Sequence, residues 1–275
     1  DTLRVARDSG RLSPLPPAQT IDDAALEAMT NIVALAGAEQ IQAAIHTGAD
    51  VVLAGRATDT ATIAALPLAR GAHSGAAWHG AKIAECGAFC TTRPASGVVM
   101  VTFDEAGFTV TPMGEGVRCT PQSVAAHMLY ENSDPWILYE PGGHLDVTAA
   151  TYTEAAQDGV RVVGAIWVAA GDYRVKLEGA RLVGYQTMML AVIRDPRYVE
   201  VVEDWADRLL LHCRGLIAAS LDLQDDAFDI ELRLIGVDSA LGWLERDRGS
   251  PVEVGVMLLI TANDQTVATE IAAVI

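Results

Sequence analysis

Apolar positions set the first expectations. Ala25, Met29, Ile32, Val33 and Leu35 recur at helical spacing after Ile21-Asp22-Asp23, and a second helix follows over Ile41–Ile45. Gly48-Ala49 breaks that pattern. Asp50-Val51-Val52-Leu53-Ala54 is then a short apolar run of the kind found in a buried parallel strand. Gly55-Arg56-Ala57-Thr58-Asp59-Thr60 follows directly, with Thr58 or Asp59 placed to cap a helix over Thr60–Leu66. In open α/β sheets ligands sit beyond the carboxyl ends of strands, which is where this loop would lie.

The texture changes from Ser96. Val98–Phe103 and Phe108–Pro112 predict a hairpin around Asp104-Glu105-Ala106-Gly107. Thr120-Pro121 starts a helix running to about Tyr130, with Thr as cap and Pro at the first helical position. Strands are expected over Leu145–Thr153, Val160–Val168, Tyr173–Glu178 and Tyr185–Ile193. Asp195-Pro196 opens a helix lined by Val199, Val202, Trp205, Leu209 and Cys213 and ended by Gly215. Strands Phe228–Val237 and Val252–Thr261 lead to a final helix capped by Asn263 or Asp264. The fold class predicted is α/β: a parallel-sheet region over residues 1–95, part of a larger domain, then an α+β domain over 96–275. The segment Asp1–Pro17 is expected to be a connector. The missing initiator Met and the uncapped Ala272-Ala273-Val274-Ile275 ending suggest a chain cut at both ends.

Composition narrows the class. The chain has 275 residues, is 51% hydrophobic and carries a formal net charge of -17. Such a charge repels phosphate backbones and anionic bilayers, so nucleic acid and membrane are not expected partners. No stretch approaches the ~20 apolar residues of a membrane helix. Four cysteines, Cys86, Cys90, Cys119 and Cys213, are too few for a disulfide scaffold in a chain this long. With no signal-peptide pattern, reduced thiols and a cytoplasmic location are expected.

Several clusters carry candidate chemistry. Arg56 and Asp59 could hold an anion and manage a proton, or simply brace their loop. Glu85 is a candidate general base and Cys86 a candidate nucleophile, against the plainer reading of a buried thiol beside a turn glycine. His79, Cys86 and Cys90, even with His73, lack a zinc spacing, so no metal is assigned. Gly142-Gly143 could converge backbone N–H groups on an anion beside His144, with a plain hairpin turn as the alternative. Lys176 lies between Arg174 and Glu178 on one face of an extended segment, as a catalytic lysine, an anion clamp or a solvated face. Arg194 precedes the Asp195-Pro196 helix start. Dinucleotide, P-loop, nucleophile-elbow and H-E-x-x-H motifs are absent, and no cofactor is assigned.

Taken in order, several blocks resemble the acyclic terpene utilisation A family. They are Gly48–Arg56 with Asp59, Ile83-Ala84-Glu85-Cys86-Gly87-Ala88, and Thr120–Val124 with Leu138-Tyr139-Glu140. Val175-Lys176-Leu177-Glu178-Gly179 and Ile193-Arg194-Asp195-Pro196 complete the set. Ala81-Lys82 stands where the family often has Gly-His. The resemblance implies catabolism of branched, terpene-like acids and their CoA thioesters. The expected activity is lyase or hydrolase chemistry on a small anionic substrate. Asp59, Glu85, Cys86 and Lys176 would be catalytic, and Arg56, Gly142, Gly143, His144, Glu178 and Arg194 would bind substrate. The alternative is a non-catalytic subunit needing a partner chain. A homo-oligomer is expected on general grounds.

Overall fold

The computed structural model describes residues 2–15, 18–95, 97–224, 226–246 and 249–275. Of the expected connector, Asp1, Pro16 and Pro17 lie outside these, as does Ser96 at the expected domain boundary. The chain divides into two compact units, Asp1–Ala180 and Arg181–Ile275.

The first unit begins with helices α1 (Thr2–Asp8) and α2 (Asp23–Ala28), strand β1 (Met29–Ala34) and helices α3 (Ala38–Ile45), α4 (Asp59–Ala69) and α5 (Ser74–Ala84). Next come β2 (Val99–Phe103), β3 (Gly107–Pro112), α6 (Pro121–Ala126), β4 (Ile137–Glu140) and β5 (Gly143–Asp146). β6 (Thr151–Ala155), β7 (Gly159–Val163), β8 (Ile166–Ala169) and β9 (Leu177–Arg181) follow. The strands form three small sheets, β1-β9, β2-β3-β7-β6 and β4-β5-β8.

Local chemistry explains the element starts. Thr58 caps α4 by accepting from the Ala61 amide at 3.2 Å. Thr120 and Ser123 form a reciprocal box around Pro121 at the start of α6. In the β2–β3 turn the Asp104 carboxylate accepts from the Ala106 and Gly107 amides.

The expected parallel sheet is not present. Every strand pair with a described register runs antiparallel, and the parallel contact among the described residues is one isolated bridge, Ala36 to Ala57. Asp50–Ala54 is a loop, with Leu53 96% exposed. A short apolar run carries no information about its partners, and among the described residues no strand is bonded to it. The helix expected through Leu35 stops at Ala28 and becomes β1, where the β-branched Thr30, Ile32 and Val33 favour extended backbone. The expected strands 145–153 and 160–168 each split into two, and Tyr173–Lys176 is irregular before β9.

Helix α5 organises the first unit. Nine of its eleven residues are buried, from Gly75 through Ile83. One side packs with α3, α4, β5 and Trp167, whose ring stacks on Trp78 at 4.5 Å. The other side, with Ala76 and Ile83, meets Phe108, Val110, Val160 and Val162. Such a helix needs small residues: a Cβ on Gly75 would lie 2.1 Å from the Ala165 carbonyl oxygen, and one on Gly80 would lie 2.6 Å from the Phe103 ring. His79 is buried beside Phe108 and Tyr152, and burial lowers its pKa to about 3. The imidazole is neutral in the fold, so its contribution to stability is present above the ordinary 6.5 and lost as pH falls towards 3.

The second unit contains β10 (Tyr185–Ile193), α7 (Pro196–Val199), α8 (Val202–Ser220), β11 (Phe228–Ile235), β12 (Val254–Ala262) and α9 (Gln265–Val274). Its sheet order is β10-β12-β11, all antiparallel. This is the expected α+β arrangement, with α8 and α9 on one face. Gly215 does not end the long helix, which continues to Ser220; open space around that glycine puts no steric demand on it. Among the described residues no helix is long and apolar enough to cross a membrane.

The two glycines give a matched test. Gly75→Ala should cost about 3 kcal/mol in urea unfolding through overpacking. Gly215→Ala should stabilise by about 0.5–1 kcal/mol, because it gains helix propensity without a clash. Equal effects of the two substitutions would contradict the assignment of α5 as the tightly packed element.

Candidate functional site

The first turn of α4 gathers most of the buried charge in the first unit. The chain approaches it through a strand-like contact: the Ala36 amide donates to the Arg56 carbonyl at 2.9 Å, and the Thr58 amide donates to Ala36 at 3.2 Å. On the other side of this segment the Leu35 amide donates to the Lys176 carbonyl at 3.0 Å. Residues 56–58 and 176–178 are thus held on either side of residues 35–36, although far apart in sequence.

Two threonines each bind a buried carboxylate. Thr58 Oγ1 donates to Glu140 Oε2, and Thr60 Oγ1 donates to Glu85 Oε2 at 2.6 Å. Each carboxylate also has a lysine. Lys176 Nζ lies 3.3 Å from Glu140 Oε1, with the Lys176 side chain 25% exposed and that of Glu140 2% exposed. Lys82 Nζ donates to Glu85 Oε1 and to the Tyr130 carbonyl oxygen at 2.6 Å, and both side chains of this pair are buried. At the outer end Arg56 pairs with Glu178, both exposed.

The electrostatics separates these groups. Burial pushes the Glu140 carboxyl up from its ordinary 4.5; Lys176 and the Thr58 hydroxyl oppose this, while the nearby Glu85 charge adds to it. Cys86 is half-buried, and burial raises its thiol against the influence of the facing Tyr130 hydroxyl. That is opposite to the shift an activated thiolate requires. The His127 ring stacks on Tyr130 at 5.3 Å. Burial, then the Lys82 charge, lowers the His127 pKa to about 4, and its Nε2 has no hydrogen-bond partner among the described residues.

The structure therefore brings Arg56, Glu85, Cys86, Lys176 and Glu178 into one neighbourhood. Asp59 is the exposed first residue of α4 and points to no described ion pair. Gly142 and Gly143 close the β4–β5 hairpin. The Gly142 amide is taken by the Arg174 carbonyl at 2.8 Å, so it is not free to hold an anion. His144 is half-buried in β5, its ring 5.7 Å from that of Tyr139. Arg194 belongs to the second unit, where it pairs with Glu253 on the surface at 3.2 Å. Among the described residues no three His, Cys, Asp or Glu side chains converge as a metal group would need.

Sequence reasoning missed Glu140, Lys82, Thr60, Tyr130 and His127 as site residues. Two signals were available. Glu140 shares the inward parity of β4 with Leu138, an unusual place for a carboxylate. Lys82 precedes Glu85 by one helical turn, the spacing of a helix ion pair.

The class defined by this geometry is a mixed α/β protein with a buried pair of lysine–carboxylate contacts at a helix start. Residues 4–275 match the family described as acyclic terpene utilisation family protein AtuA, and the chain belongs to that family. No curated protein and no solved structure matches the chain. Membership places the chain in acyclic terpene utilisation, a catabolic setting.

The raised Glu140 pKa gives a signed expectation. The folded chain holds this proton more tightly than the unfolded chain does. Stability relative to glutamine is therefore fully present below 4.5 and lost as pH rises through the folded value. The melting temperature of Glu140→Gln minus that of the wild type should increase from about pH 4 to about pH 8. A difference that shrinks over that range would mean that the Lys176 ion pair outweighs burial.

Proposed function

We propose that the chain is a catabolic enzyme acting on a small branched carboxylate or its CoA thioester by proton transfer, in hydration, dehydration or hydrolysis. The observation that carries this reading is Glu140: a buried carboxyl with a raised pKa, held between a hydroxyl and a lysine that is partly open to solvent. Buried carboxyls tuned upwards serve as general acids and bases near neutral pH. In this reading Glu140 moves the proton. Lys176 turns from Glu140 to the substrate carboxylate or thioester oxygen. Arg56, already exposed, adds positive charge at the entrance. Glu85 is the second carboxylate, fixed by Lys82 and Thr60.

One observation favours a second reading, a non-catalytic subunit that needs a partner chain. Each cation of the cluster already has a carboxylate: Arg56 with Glu178, Lys82 with Glu85, and Lys176 with Glu140. Closed ion pairs brace a fold without any substrate.

A thermal-shift panel of branched free acids and their CoA thioesters separates the two. Ligands that bind only the native state raise its melting temperature. The enzyme reading predicts a hit that is lost in Lys176→Met. It also predicts turnover of that ligand that falls by at least about 100-fold in Glu140→Gln. Silence across the panel, with both variants folded as the wild type, would favour the partner-dependent subunit.

A further inference from the structure

Two of the free thiols of the first unit meet. Cys90 ends a tight helical turn, Gly87–Cys90, that follows α5. Directly after it the chain pairs with the segment that leads into α6. Thr91 and Cys119 sit opposite each other in an isolated antiparallel bridge, and the Thr92 amide donates to the Arg118 carbonyl at 2.8 Å. The Ser123 hydroxyl of α6 donates to the Cys90 carbonyl at 2.7 Å, so the backbone is held on either side of these thiols. The side chains converge as well: Cys90 and Cys119 are hydrogen-bonded thiol to thiol. Both belong to the apolar cluster of Ile83, Phe108 and Val124, where they are 0% and 3% exposed. A disulfide asks for closely paired backbone and for sulfurs that face each other, and this pair of segments supplies both. Taken singly, each cysteine reads as a small core residue. Together they are a dithiol.

We propose that Cys90 and Cys119 form a redox site, converted by hydrogen peroxide to an intramolecular disulfide and restored by a dithiol reductant. Peroxide is small and uncharged, which suits an apolar interior closed to bulky reagents. The contact with Cys90 lowers the Cys119 thiol against burial, while the same contact, together with burial, raises Cys90. Cys119 therefore ionises first. Its thiolate attacks one peroxide oxygen; the O–O bond breaks, leaving a sulfenic acid on Cys119 and releasing hydroxide. The Cys90 sulfur then attacks the Cys119 sulfur. The S–O bond breaks, and the hydroxyl leaves with the Cys90 proton as water. The released hydroxide takes the proton that Cys119 gave up. Two thiols are oxidised by two electrons, peroxide is reduced by two, and two waters form. Cys86 is the more open thiol but is not the one chosen, because burial raises it and it faces the Tyr130 hydroxyl. The new bond ties the segment after α5 to the start of α6, between the stretches that carry Glu85 and Tyr130. The proposal is independent of the chemistry assigned to Glu140.

The test treats the whole native chain with a modest excess of hydrogen peroxide, then blocks free thiols in denaturant and maps the peptides by mass spectrometry. The wild type should lose two of its four thiols. It should become lighter by about 2 Da and yield one linked peptide, Cys90 to Cys119, that dithiothreitol cleaves. Its melting temperature should rise by at least about 3 °C on oxidation, since the bond closes a ring of roughly 30 residues. Cys86→Ser should behave as the wild type. Cys90→Ser should form no link and should let dimedone trap the sulfenic acid at Cys119, while Cys119→Ser should give no adduct at Cys90. The peptide map of the wild type decides the matter even if either serine variant fails to fold. Four thiols left intact would overturn the proposal, and so would a link that involves Cys86. A Cys90–Cys119 link that forms in urea but not in the native chain would overturn it equally.

Discussion

The burial of α5 is the constraint on which the first unit depends. A helix packed on both sides has no polar face to offer water, so its sequence must be small and apolar almost throughout. Gly75-Ala76-Ala77 and Gly80-Ala81 meet that demand and let α3, α4 and the β2-β3-β7-β6 sheet approach the same backbone. The demand fails at the C-terminal end, where Lys82 and Glu85 enter the interior together. Two buried charges are tolerable there because each satisfies the other and the remaining valences are filled by Thr60 and the Tyr130 carbonyl. The site is therefore the place where the central helix stops being apolar.

The two carboxylates then differ by what surrounds them. Glu85 shares a fully enclosed pair with a lysine on its own helix. Glu140 comes from a strand and borrows its lysine from a distant irregular segment whose side chain is partly in water. The second partnership is the looser one, and the Glu140 carboxyl is raised because burial outweighs it. Of the two carboxylates, Glu140 is thus the one whose charge is less fully compensated.

How much of this was legible depended on the kind of signal. Caps and turns read well, because Thr58, Asp104, Thr120-Pro121, Asp195-Pro196 and Asp264 act on amides within a few residues. β10 was predicted with its observed ends, bounded by Gly184 before it and by Asp195-Pro196 after it. Partnership was not legible. Val51-Val52-Leu53 has the composition of a buried strand and lies in a loop, and the parallel sheet was inferred from that run. In the site, Arg56, Glu85 and Lys176 stood out as charges in glycine-flanked or alternating contexts. Thr60 carried no such mark, because a threonine in a helix's first turn reads as part of the start signal. Its bond to Glu85 exists only once α4 and α5 lie side by side.

Thr58 ties these parts together through its single hydrogen. Its oxygen already accepts from the Ala61 amide, so its proton is turned towards Glu140 Oε2. The hydroxyl that starts the helix therefore also fixes which oxygen of the buried carboxylate is left to face Lys176, on the side of the contact that is partly open to water.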